Sequence, residues 1–371
     1  MKQAQTESTE ATVATEPNDH DGTKSETDRV GPSIATGSSS RPKHPHWRLT
    51  HTLKGHSRST SSVSFSPDGT KLASSSADGT ILIWTIVLGD RSGRVPYIEY
   101  MMKLARNDSC DGINDLTWSP DSRYLVSGSD DRLIHIWSLS QTTPLRKLIG
   151  HSHCVYCVKI NPVGTVLVSG SFDETIKVWD FIGGKLLRTL PGHSEVVSCL
   201  DFTRDGSLIV SGSFDGLIRM WDTTSGQCLK TLVVAQETNA PVSFVSFTPN
   251  SHYLLTCTLD STVRLWDYKT KQGTVVKSYT GHSNTKFSIP ARVISIPSTD
   301  QFPGGEFMLM GSEDGKLLIW DLQSRECISK ISSHQDSIIG IATHPFSPAL
   351  IVTVGLEGDL TTKVFALTSP E

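Results

Sequence analysis

Serine, histidine and aspartate recur in this chain at fixed separations, and those three side chains together can carry out nucleophilic acyl transfer. Ser74 lies 18 residues after His56 and 4 before Asp78. The same spacing returns in His151, Ser169 and Asp173, and again in His193, Ser211 and Asp215. Each of these histidines follows a glycine, and each aspartate stands six residues before a tryptophan, Trp84, Trp179 or Trp221. A hydrolase needs one such set in a cleft beside an oxyanion hole. Equal copies of it cannot form one active site. They predict a buried Trp–Ser–His–Asp hydrogen-bond network that fixes a repeated structural unit. A Walker loop, an H-E-x-x-H pair and a nucleophile elbow are also missing from the sequence, so an enzyme is not expected.

The unit that carries the set recurs seven times. Its aspartate and aromatic pairs are Asp78/Trp84, Asp131/Trp137, Asp173/Trp179, Asp215/Trp221, Asp260/Trp266, Asp314/Trp320 and Asp359/Phe365, with the aromatics at intervals of 53, 42, 42, 45, 54 and 45 residues. Short alternating strands such as Val63-Ser64-Phe65 are separated by turns of the Ser66-Pro67-Asp68-Gly69 and Asp78-Gly79 kind. Helical periodicity is lacking throughout, so the expected class is all-β. A repeat near this length cannot bury its faces alone and must stack, which predicts a seven-bladed β-propeller of four-stranded blades. The last repeat has three strands of its own, while a strand at 47–53 precedes the first repeat. Pairing the two closes the ring and removes two free edges. Gly-His also opens the sixth repeat at His282, whereas repeats two and five lack it, which predicts incomplete networks there.

Residues 1–46 contain one aromatic-free run rich in Thr, Ser, Glu, Asp and Pro up to the His46-Trp47 step, and are expected to be a disordered tail before a propeller at 47–371. The long intervals place insertions near 87–97 and 283–305. The net charge of −4 gives no footprint for nonspecific nucleic-acid binding. Seven cysteines, mostly within apolar strand patterns, point to reduced thiols in cytosol or nucleus. Cys154 and Cys157 form a C-x-x-C, but a strand directs them to opposite faces, so neither a metal nor a cofactor is expected. A signal peptide and an apolar run of the ~18 residues needed for a membrane span are both absent from the sequence, and the expectation is a soluble intracellular protein.

Residues in equal register must form rings about the propeller axis. The position before each turn aspartate gives Ala77, Asp130, Phe172, Phe214, Leu259 and Glu313; the position 23 before the tryptophan gives Ser61, Asn114, Tyr156, Ser198 and Ser243. If both line one mouth of the channel, its acids, aromatics and hydroxyls suit a flat cation such as arginine. The alternative is that the aromatics plug the axis and the acids face water.

The register, the Gly-His steps and the dipeptides Trp179-Asp180, Trp221-Asp222, Trp266-Asp267 and Trp320-Asp321 resemble the WD-repeat family over 47–371. Stretches at 73–78, 169–174, 190–194, 204–211, 222–232 and 241–245 are similar to the WD-repeat core subunits of COMPASS- or MLL-type histone H3 lysine methyltransferase complexes. The resemblance implies a non-catalytic nuclear scaffold, monomeric within a hetero-complex, that binds a SET-domain methyltransferase and other core subunits, with the histone H3 tail as a further ligand. It also implies a mouth that clamps an arginine between two rings, with Ala77, Asp130, Tyr156, Ser198, Phe214 and Ser243 at matching positions. Asn114 replaces a smaller hydroxyl residue, and Pro290 falls where the second ring is expected, with Phe287 the nearby aromatic. An adaptor of another assembly, a ubiquitin ligase or an RNA-processing complex, is the competing reading.

Overall fold

The computed structural model describes residues 45–88, 96–106, 110–234, 239–298, 304–347 and 349–368. The expected tail lies almost entirely outside these residues, as do 89–95 of the first insertion and 299–303 of the second. Among the described residues, alternating side chains and Gly- or Asp-rich turns produce 28 strands, which pair into seven antiparallel four-stranded sheets. Blades one to six occupy 60–105, 113–148, 155–190, 197–233, 242–279 and 291–332. Each blade contacts its neighbours around the ring, largely through the innermost strands, and blade one meets blade seven. This is the seven-bladed all-β propeller read from the repeat.

Closure follows the predicted route. Strand β1 (His46–Leu53) pairs antiparallel with β28 (Thr362–Thr368), giving the order β1, β28, β27 (Leu350–Gly355), β26 (Ile338–Thr343). Leu49 stands opposite Phe365 in that register.

The cores lie between blades rather than within them. Seven apolar clusters occupy the seven interfaces, and the register aromatic of each blade belongs to the cluster it shares with the preceding blade. Trp179, for example, packs with Val126, Ile134 and Leu167 across the interface of blades two and three. A β-carbon on Gly170 would come within 2.6 Å of the Val197 side chain, so the Ser-Gly-Ser pattern of the second strand lets neighbouring blades approach closely.

One local irregularity positions the candidate site. In six blades the pairing of the first two strands skips a residue, and the extra residues are Ser61, Asn114, Tyr156, Ser198, Ser243 and Ile339. A β-bulge turns such a residue out of the ladder, here onto the wall of the central channel. Blade six alone has an unbroken register, from Ala291 to Ile296.

Candidate functional site

The Ser–His–Asp sets are closed internal networks. In blade three Trp179 Nε1 donates to Ser169 Oγ at 2.9 Å, Ser169 lies 2.7 Å from His151 Nε2, and His151 Nδ1 lies 2.8 Å from Asp173. The tautomer that satisfies every atom has the serine hydroxyl donating to Nε2 and Nδ1–H donating to the carboxylate. Blade four repeats this with Trp221, Ser211, His193 and Asp215. In blade one His56 reaches Ser74 at 2.7 Å and Asp78 at 3.3 Å, beside the buried Trp84. The serines are fully buried, so no substrate carbonyl reaches them.

The other blades depart from what their Gly-His steps suggest. Blades two and five, expected to be incomplete, recruit arginines instead. Arg106 donates to Asp131 and Ser129, both at 2.6 Å, with His135 2.8 Å from Asp131. Arg264 donates to Asp260 at 2.7 Å and Thr258 at 2.6 Å. Blade seven uses His334, 3.1 Å from Asp359 and 2.9 Å from Thr353, without a Gly-His signal because Ser333 precedes it rather than glycine. Blade six has the Gly-His but no network. Met310 occupies the serine position, Trp320 donates to Thr280 O, and Asp314 turns to Lys316. Both ring nitrogens of His282 are buried without a partner among the described residues, and its ring centroid lies 5.8 Å from that of Trp320.

This burial has a consequence in acid. His282 and His334 are both depressed to about 4, chiefly by desolvation of the charged form. The unfolded chain, titrating near 6.5, binds protons first. The contribution of these two groups is therefore complete above about pH 6.5 and is lost as pH falls toward 4, at about 1.4 kcal/mol per pH unit for each histidine. Urea melts between pH 7 and 4 should show this decline, and His282→Gln should remove about half of the histidine contribution; a pH-independent midpoint across that window would refute it.

The channel holds a cavity of about 200 Å³. Tyr156, Ser198, Ser243 and Phe287 line it, together with Ser61, Asn114 and Pro290. The ring of turn residues stands beside this lining rather than in it. Tyr156 touches Phe172 at a centroid distance of 5.6 Å and Phe214 at 6.3 Å, and His153 stacks on Phe172 at 5.5 Å. Phe172 is 41% exposed. Asn114 donates to Asp130 at 2.8 Å, and Gly112 packs between Asp130 and Ala77. The result is an aromatic strip on blades three and four, flanked by exposed Asp130 and Glu174.

Several groups predicted to face a ligand are already engaged. Ser61, Asn114 and Ser198 each donate to the first bulge carbonyl of the next blade, Ile113, Val155 and Val242. These bonds staple adjacent blades. Glu313 accepts backbone N–H groups of Thr285, Lys286 and Phe287, which fixes the loop that carries Phe287. A second cavity of about 290 Å³ lies between blades five and six, lined by Tyr253, Leu265, Val276, Val293, Lys277 and Glu306 among others. Its walls come from different repeats, so the spacing within one repeat does not reveal it.

Cys157, Cys199 and Cys257 are buried, and burial raises their thiols, Cys199 to about 12. Cys110, Cys228 and Cys327 are exposed, contrary to a mostly core placement. Among the described residues no group of His, Cys, Asp or Glu is arranged to hold a metal.

The model of the WDR5 beta-propeller domain matches residues 52–366. The chain is 29% identical over 290 residues to the nuclear distribution protein PAC1 of Coccidioides posadasii, which covers 76% of this chain and 42% of that protein. It is 33% identical over 118 residues to protein HIR1 of Kluyveromyces lactis, 30% of this chain and 14% of HIR1. It is also 33% identical over 112 residues to the chromatin assembly factor 1 subunit FAS2 homolog of Oryza sativa, 30% of this chain and 21% of that protein. The chain thus spans less than half the length of these curated relatives. The match over nearly the whole propeller decides the family: the chain belongs to the WDR5 beta-propeller domain family of WD-repeat proteins.

Proposed function

We propose that this propeller is the non-catalytic scaffold subunit of a COMPASS-type histone H3 lysine methyltransferase complex, acting in the nucleus. Its partners are a SET-domain methyltransferase and other core subunits, and the histone H3 tail or another arginine-bearing peptide binds at the channel mouth. The observation that carries this reading is the aromatic strip of Tyr156, Phe172 and Phe214 beside exposed acids, set at an open cavity of the channel. Repetition alone would make the mouth uniform; these three rings break the symmetry on one side. The match to the WDR5 beta-propeller domain and the chromatin assembly name of one relative support the chromatin setting. The second cavity, on blades five and six, offers a separate concave surface for another subunit. The long match to a nuclear distribution protein favours a second reading, an adaptor of a different assembly.

Affinity purification of the full chain followed by mass spectrometry separates the two. SET-domain subunits among the co-purifying proteins support the first; a reproducible assembly without them refutes it. Phe214→Ala tests the mouth. Phe214 is half-buried, outside the seven cores, so the thermal midpoint should change little while peptide or partner affinity falls at least tenfold. A large midpoint loss with unchanged affinity would make Phe214 a packing residue.

A further inference from the structure

The channel below the mouth carries a cation of its own. Arg292, from the innermost strand of blade six, enters the same cavity that Tyr156, Ser198 and Phe287 line. Its guanidinium carbon sits 5.3 Å from the ring centroid of Phe244 in blade five. Its one hydrogen bond among the described residues is a long one, from Nη1 to the adjacent Ala291 O at 3.4 Å. Two carboxylates shape its field without pairing with it. Asp115 accepts from Ser62 Oγ and Val158 N, both at 3.1 Å, and Asp201 accepts from Ser246 Oγ at 2.9 Å and Phe247 N at 2.8 Å. Burial pulls the Arg292 pKa down, Asp201 and Asp115 oppose that pull, and a guanidinium stays charged near neutrality. An aromatic face, a narrow cavity and two nearby carboxylates are what a guanidinium ligand requires.

We propose that the channel is a guanidinium site filled in cis by Arg292, so that a partner's arginine is held at the rim, against Phe172 and Phe214, and not inserted. The second half rests on the peptide-binding reading above; the first does not. A second unit charge about 6 Å away at an effective dielectric near 20 would be disfavoured on the order of a hundredfold. The geometry also accounts for Pro290: with the channel occupied, a second clamping ring has nothing to clamp.

The experiment uses the full chain with Arg292→Ala, and Arg292→Asn should the alanine variant not fold. Thermal midpoints are measured with increasing methylguanidinium chloride against sodium chloride of equal ionic strength. The variant should gain several degrees saturably while the wild type gains none; an equal response of both proteins overturns the assignment. Fluorescence anisotropy with an arginine-bearing H3-tail peptide follows. Affinity for the variant should exceed the wild type at least tenfold, and the gain should vanish when the peptide arginine is replaced by alanine. Equal affinities would overturn the rim placement. A wild type with no peptide affinity, beside intact methylguanidinium rescue, would refute the peptide reading and leave the in-cis site standing.

Discussion

Removal of residues 46–53 should abolish the cooperative unfolding transition of the purified propeller, whereas removal of residues 1–44 should leave its midpoint unchanged. Strand β1 is the fourth strand of blade seven, held in register from His46 opposite Thr368 to Leu53 opposite Thr362. Without it β28 becomes a bare edge, which is a liability for a closed ring. The loss also reaches the core between blades six and seven. Trp47 is 3% exposed there, packed with Ile294, Phe307, Ile338 and Phe365. Truncating such a tryptophan to alanine costs about 3–5 kcal/mol by itself, against a total stability of about 5–15 kcal/mol for a domain. Trp47→Ala is therefore the graded version: a cooperative melt at a lower midpoint. Circular dichroism and intrinsic fluorescence melts of the three variants decide the matter. A 46–53 deletion that melts like the parent would mean that blade seven closes the ring without its fourth strand.

The blade count and the closure were legible because both follow from spacing. The interval from aspartate to aromatic is set by one hairpin, and a hairpin is local. Ring positions were legible for the same reason, since equal register in sequence becomes equal height on the axis. What spacing cannot show is a residue that leaves its ladder. Ser61, Asn114, Tyr156, Ser198 and Ser243 came out as one ring, but nothing in the sequence says that each is a bulge. Nor does it say that Ser61, Asn114 and Ser198 spend their donors on the next blade. Blade six breaks the analogy altogether. Its first strand has no bulge, so the register counted back from Trp320 gives no ring residue and does not point to Arg292.

The networks show the same boundary from another side. Gly-His proved neither necessary nor sufficient. What the aspartate needs is a donor at short range, and Arg106, Arg264 or His334 meets that need from different positions in the chain. Substitutes at new positions keep the physics and erase the motif. Met310 does the opposite, keeping the motif at His282 while removing the hydroxyl that would give it a partner.

Asp173→Ala and Asp314→Ala should therefore differ sharply although the two residues share one register position. The Asp173 side chain is 8% exposed, against 44% for Asp314. Asp173 accepts from His151 Nδ1 at 2.8 Å, Ser152 N at 3.0 Å, Thr175 N at 3.1 Å and Thr175 Oγ1 at 2.6 Å. Burial alone would raise its pKa, yet the donors of His151, Thr175 and Ser152 outweigh it and hold the carboxyl far below the usual range. Alanine there strands the His151 Nδ1–H and two backbone N–H groups. The cost should be about 3 kcal/mol or more, because buried donors lose both their protein partner and any water. Asp314 mainly holds Lys316, itself 44% exposed, at 2.7 Å, and an exposed pair of this kind is worth at most about 1 kcal/mol. Urea unfolding at pH 7 measures both. Asp173→Asn keeps the shape and one acceptor and should fall between the parent and the alanine variant. If Asp173→Ala and Asp314→Ala cost the same, the repeated aspartate stabilises its turn alone, and the Trp–Ser–His chain behind it contributes nothing measurable.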